Sequence, residues 1–473
     1  MSAEENYLER EQNYSEYNEN EYNENEYNEN EYDENEYIRP MRFNNADDNY
    51  VIITDMCIPD GCYENNQVIY LTSTEPSAYD FTSFKFPNKL NMLRIMLRKN
   101  IEFLKLPESV HTLDISVEPV KLTRLPESLR VLIIGCISMY DVSIIEVKFP
   151  QNLYSLKIEH MFDQSINSII LPESLRELML DDAMFNQKID NVNFPSQLIK
   201  IAFGMTFNQN IDTLYILPLK HLILGYSFNR QLHHLPLSLI RLKIGAMFSY
   251  INTVIWPTLC ILELYCNKVN IDLLPKNLHI LHLSHISSIN LMMFISLRIL
   301  SFKEAYDVDI SELLIPQNVH TIICGHYFNK PINCITWPRA LNRLEFGCHF
   351  NQDINELNNV VNLATLILGT YFNQPIQHLN SIQELTLGYN YTQDVTFINN
   401  CPNLITITFG KHPISLTNIF FHVIDTIYDY SHTITTSSSK WPTSLRQIIY
   451  TSSCKNSIIH YKRHVGQFTK AAH

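Results

Sequence analysis

The 473-residue chain has no uninterrupted apolar run near 18 residues, and its opening MSAEENYLEREQ is acidic, with no hydrophobic stretch of the signal-peptide kind. The expectation is an intracellular protein with no membrane contact. Its ten cysteines, at 57, 62, 136, 260, 266, 324, 334, 348, 401 and 454, form no C-x-x-C pair. That spacing excludes the usual zinc frameworks, and without secretion a disulfide framework is not expected. Only Cys57 and Cys62, flanking the turn IPDG, keep a weak redox or metal reading. G-x-S-x-G, P-loop and H-E-x-x-H motifs are missing, and no carboxylate pair stands apart from the surface charge. No catalytic residue, cofactor, metal or small-molecule substrate is therefore assigned, and the protein is read as not an enzyme. The nearest thing to a metal motif is HILHLSH, with His279, His282 and His285. On an extended strand His279 and His285 lie ~20 Å apart at ~3.3 Å per residue, too far to share an ion, and His282 falls on the open face.

Positive charge is also short, with 35 Lys and Arg against 49 Asp and Glu. The deficit is local. Fourteen acidic residues against Arg10 and Arg39 fill residues 1–40, so the remaining chain carries only −2 of the net −14. A near-neutral body without a basic stripe excludes a nucleic-acid partner. In the acidic segment EYNEN repeats, placing tyrosines at 17, 22, 27, 32 and 37. A five-residue period forms no apolar stripe on a helix or a strand, and no aliphatic residue occurs between Leu8 and Ile38. Residues 1–40 are expected to be a disordered low-complexity tail.

Glycine is scarce too, and the scarcity is patterned. Aligning the chain on itself gives 18 units, each opened by a marker residue: 87, 107, 126, 150, 172, 195, 216, 236, 256, 275, 294, 316, 338, 360, 379, 401, 421 and 442. Proline is the commonest marker, as in LPESLRELML and WPRALNRLEF, and Phe421 opens the weakest unit. Apolar residues follow at +3, +6 and +8, and nine of the eleven glycines fall at +9. A period near 21 is too short for helical hairpins and fits one strand with a return limb. Positions +6 and +8 point inward, +5 and +7 to the other face. Proline, lacking an N–H, belongs at the corner ahead of the strand ladder. Glycine at +9 lets the chain leave the strand, through positive φ or close backbone approach. A Phe near +12 and an Ile four later, as in Phe207 and Ile211 or Phe372 and Ile376, fill the opposite wall. The Asn after that Phe, at 186, 208, 229, 329, 351 and 373, suits turn capping and coil-to-coil hydrogen bonding, with Asp163 and Ser249 as polar substitutes.

The pattern F-N-[QK]-x-I-x-x-[LI]-P, as in FNKPINCITWP, resembles the FNIP repeat, a leucine-rich-repeat relative abundant in social amoebae and in giant viruses that infect them. The resemblance covers roughly residues 86–450. It implies a protein-interaction scaffold, located in the host cytoplasm if viral, with no catalytic residues to carry over. Some relatives bear an N-terminal F-box that recruits a ubiquitin ligase, but residues 41–86 show no such helical Leu-Pro pattern.

The resulting fold class is mainly β: a leucine-rich-repeat-like solenoid of about 18 short coils. Residues 1–40 form the tail, 41–86 an N-terminal cap with strands in NYVIITDMCI and NQVIYLTST, 86–450 the solenoid and 451–473 a C-terminal tail. The units at 256, 275 and 294 lack both the +9 glycine and the Phe-Asn pair, and read as drifted coils or as a local bend or binding patch. The expected function is binding of an unidentified protein partner. The alternatives are a ubiquitin-ligase substrate adaptor or a structural part of a virus particle. The candidate contacts lie at +5 and +7: Lys157, Glu177, Lys200, His221, Arg241, Lys243, Glu263 and His282, with apolar Val131, Ile133, Ile223, Ile323 and Ile367 alongside.

Overall fold

The computed structural model describes residues 50–54, 68–72, 86, 89–97, 106–117, 125–136, 147–250, 259–266, 270–284, 290–302, 310, 313–410, 433–434, 444–452, 457–464 and 467–470. Contacts divide the chain into Met1–Asp48, which lies outside the described residues, and Asn49–His473, to which everything below refers. The expected disordered tail therefore falls outside the described residues, as do Cys57, Cys62 and His285.

Among the described residues 22 strands join in one sheet. The first are β1 (Tyr50–Thr54), β2 (Val68–Thr72), β3 (Met92–Leu97), β4 (Thr112–Val117), β5 (Val131–Cys136) and β6 (Ser155–His160). β7 (Glu177–Leu180), β8 (Lys200–Phe203), β9 (His221–Leu224), β10 (Arg241–Ile244), β11 (Ile261–Leu264) and β12 (Ile280–Leu283) follow. Then come β13 (Ile299–Ser301), β14 (Thr321–Ile323), β15 (Arg343–Glu345), β16 (Thr365–Ile367), β17 (Glu384–Leu387) and β18 (Thr406–Phe409). The last four are β19 (Thr433–Ile434), β20 (Gln447–Ser452), β21 (Ser457–His464) and β22 (Gln467–Lys470). Each strand from β1 to β17 pairs in parallel with its successor, the arrangement of a β-solenoid in which every coil adds one rung. Roughly a dozen turns, between residues 147 and 410, show both walls of the coil.

The local reasons are repetitive. The marker carbonyl accepts from the +3 amide, as in Leu175 N–H to Pro172 (3.0 Å) and Leu198 N–H to Pro195 (3.1 Å), which makes the corner. Proline is favoured there because its fixed φ suits a turn and its missing N–H costs no ladder bond. The strand then buries +6 and +8: Leu178 and Leu180, Leu222 and Leu224, Leu385 and Leu387 are at most 1% exposed. The return limb is irregular or a short 3-10 turn, as at Asp212–Ile216 and Asn355–Asn359. It supplies the opposite wall, where rings stack from coil to coil. Phe162, Phe185, Phe207, Phe228 and Phe248 lie 5.9 to 6.4 Å apart, and Phe328, Phe350, Phe372 and Tyr391 lie 5.9 to 6.2 Å apart.

Glycine at +9 is explained by close approach alone. A methyl built on Gly388 would fall on the carbonyl of Gly369, and one on Gly225 on the carbonyl of Gly204, while neither residue has a positive φ. At these glycines successive backbones pass too near one another for any side chain.

Two ends differ from expectation. β18 pairs directly with β20 (Thr406 to Gln447), and of the intervening Phe421 unit only β19 is described, paired antiparallel with β22. Its sequence was the weakest match because it lacks the regular inward set. Within the stretch 451–473, set apart as a tail, β21 and β22 continue the sheet antiparallel, β20 to β21 and β21 to β22, with β19 against β22. The run SIIHYKRH is rich in β-branched and aromatic residues, which favour strand pairing over an isolated tail.

Candidate protein-interaction face

Register fixes where the eight candidate residues lie. Glu177, Lys200, His221 and Arg241 are consecutive partners in one row, and Lys243, Glu263 and His282 in the other. Lys157 is partnered by Met179 at the head of that second row. All eight thus stand on one ladder face, at ~4.8 Å from rung to rung. Val131, Ile133, Ile223, Ile323 and Ile367 share it.

The face is more crowded than its alternation suggests. Seven of the eight candidates are half-buried, and Glu263 is only 5% exposed. His282, expected to be open to solvent, is half-buried as well. Ala202 and Ser301 at +7 are buried completely, since short side chains between longer neighbours one rung away are covered by them.

Two charge clusters organise the face. In the first, Lys157 Nζ lies 2.8 Å from Glu159 and 2.5 Å from Asp182. Burial alone would lower the Lys157 ammonium, but these two acceptors outweigh it and hold it above the ordinary lysine range. Burial and the Asp182 charge raise the neighbouring Asp181 carboxyl. Nearby, Arg94 Nε lies 2.8 Å from Asp114, and burial still raises the Asp114 carboxyl despite that cation. In the second cluster Arg241 Nε donates to Glu263 Oε1 at 2.7 Å, the Tyr265 hydroxyl lies 3.4 Å from Oε2, and Lys243 Nζ sits 5.0 Å above the Tyr265 ring. Burial would raise the Glu263 carboxyl, but Arg241, His282 and Lys243 together hold it below the ordinary glutamate range. Tyr265 occupies the +9 place that glycine holds in the regular coils.

The opposite limb is a structural column. Asn186 N–H donates to Asp163 Oδ1 (2.7 Å), Asn208 N–H to Asn186 Oδ1 (2.8 Å), Asn229 N–H to Asn208 Oδ1 (3.0 Å) and Ser249 N–H to Asn229 Oδ1 (3.0 Å). A second column runs from Asn329 through Asn351 and Asn373 to Thr392. Between them the coils opened by 256, 275 and 294 keep the ladder, and their places for the column lie outside the described residues. There Asn270 and Asn290 cap their own turns, accepting from the Asp272 and Met292 amides, as Asn210, Asp353 and Asp394 do in the regular coils. Sequence reading missed a third column, in which Ser or Asn at +2 donates to a carbonyl of the preceding coil. Examples are Ser174 Oγ to Leu153 O (2.6 Å) and Asn362 Nδ2 to Arg339 O (2.7 Å). Its signal was the recurring S or N two residues after the marker.

The remaining chemistry is sparse. Among the described residues no group of three His, Cys, Asp or Glu is placed to hold a metal, and no helix is long and apolar enough to cross a membrane. Cys266 and Cys401 are buried thiols pushed up to about 11 by burial, and Cys324 is raised further by burial and Glu345. Such thiols are unreactive core residues. Two open clefts of about 520 and 470 Å³ mark the corners near β14 to β17, one lined by His320, Asn342 and Gln383, the other by Trp337, Arg339 and Glu356.

No family model and no curated protein sequence matches the chain. Solved structures are similar at low identity. CroV588, described as a circular leucine-rich-repeat protein, shares 23% identity over 81% of this chain and 66% of its own, at a TM-score of 0.44. YopM from Yersinia enterocolitica shares 17% over 82% and 83%, at 0.33. The receptor in the TLR13–ssRNA13 complex shares 13% over 74% and 61%, at 0.37. The chain thus spans less than two thirds of the receptor's length and 66% of CroV588's.

Proposed function

We propose that the chain is a non-catalytic protein-binding scaffold of the FNIP repeat type, acting inside the cell through its ladder face. The carrying observation is the unbroken register that sets Glu177, Lys200, His221 and Arg241 in one row and Lys243, Glu263 and His282 in the next. A rigid row of mixed charge with apolar residues beside it is what a partner of fixed shape can read. The FNIP assignment is supported by what its two letters do here, Phe stacking and Asn capping, in both regular runs. In the same reading residues 41–86, which include β1 and β2, cap the first coil, whose bare end would otherwise face water.

The test is affinity purification from the native cell with Lys200→Glu/Lys243→Glu. Arg241 is left intact because its loss would strand the buried Glu263 charge. Partners should disappear while the thermal midpoint holds. Partners retained in that variant but lost with Lys188→Glu/Asp190→Lys, on the return limb, would refute a ladder-face site.

A further inference from the structure

The sign of the ladder face changes between β7 and β8. On β6 and the turn after β7, Glu159, Asp181 and Asp182 surround Lys157. From β8 to β12 the charged and titratable side chains at +5 and +7 are Lys200, His221, Arg241, Lys243, Glu263 and His282, in continuous register. Three fixed cations thus stand against one carboxylate, and that carboxylate is already held by Arg241 at 2.7 Å. The positive field there offsets even the burial of Glu263, whose carboxyl Arg241, His282 and Lys243 hold ionised. Where β8, β9 and β10 end, the chain presents Met205 (67% exposed), Tyr226 (49%) and Met247 (51%). These three are stacked by backbone bonds, Ser227 N–H to Met205 O (2.8 Å) and Met247 N–H to Tyr226 O (3.0 Å). A cationic strip and an apolar ridge therefore run side by side along the solenoid axis.

Resting on the ladder-face reading, we propose that β8 to β12 dock an extended segment of a partner protein carrying both carboxylates and apolar side chains. Carboxylates lie over Lys200, Arg241 and Lys243, and apolar side chains over Met205, Tyr226 and Met247. Four rung intervals of ~4.8 Å span ~19 Å, the length of about six extended residues.

The probe is a fluorescein-labelled peptide of repeated Glu-Glu-Leu, compared by anisotropy with its Gln-Gln-Leu and Lys-Lys-Leu counterparts and a single-stranded RNA of similar length. The glutamate peptide should bind best, weaken about tenfold between low and moderate salt, and weaken about tenfold again in Lys200→Gln/Lys243→Gln or Met205→Ser/Met247→Ser, with thermal midpoints unchanged. Equal binding of all three peptides, no binding, indifference to either double variant, or equal affinity for RNA would overturn the proposal. Native partners lost from Lys200→Glu/Lys243→Glu without glutamate-peptide binding would sink this inference and leave the ladder-face reading standing. Peptide binding with native partners retained would do the reverse.

Discussion

Asparagine at 186, 208, 229, 329, 351 and 373 accepts at its Oδ1 from the amide of the next coil, so a single side-chain atom satisfies a backbone donor that the turn leaves unpaired. Removing it strands that donor. Asn208→Ala is expected to cost about 1–3 kcal/mol in urea unfolding, while Asn208→Asp, which keeps an acceptor as Asp163 does, should cost clearly less. This much was legible in the sequence, because an amide recurring next to an inward ring has few other uses. The +2 column was not, since Ser and Asn after a corner proline are common turn residues wherever they occur. Glycine at +9 was half legible. Its place was plain, but the choice between positive φ and backbone approach depends on the distance to the preceding coil.

Strands were legible through their +6 and +8 leucines, and the alternation also assigned the eight candidate residues to one face. Their crowding was not legible, because alternation says which way a side chain points and nothing of neighbours one rung away. Glu263 shows the consequence. Its carboxyl is held below the ordinary glutamate range in the folded chain, so the unfolded chain takes up its proton first as pH falls. The stability it lends is present above the unfolded value and lost as pH drops through the folded one. Urea midpoints of wild type and Glu263→Gln should therefore differ most near pH 7 and converge as pH falls below the ordinary glutamate range. Asp114, raised by burial, has the opposite sign. Relative to Asp114→Asn, wild type should gain stability as pH falls through its raised value.

At the scale of the molecule each coil touches only its neighbours, and the repeat, not the domain, is the unit of stability. Deleting residues 347–368 joins Phe346 to Gly369 at the same places in the repeat and would bring Asn373 over Asn329. That shortened chain should keep the strand signal in far-UV circular dichroism and a urea midpoint close to wild type. Deleting residues 347–357, half as many, puts every later side chain out of register and should lose both. The period carried this level of organisation into view. The antiparallel closure by β21 and β22 was hidden, because a strand added once leaves no periodic trace.

The asparagine column is also a one-way chain of donors and acceptors. Each member lends its oxygen to the coil after it and its amide to the coil before it. Among the described members a carboxylate serves as acceptor at Asp163, and Ser249 and Thr392 give the N–H as well as asparagine does. Proline alone is barred from every place that donates. Such an array has a syntax: units are interchangeable words, and the sentence reads in one direction. A unit copied in the same sense lengthens it.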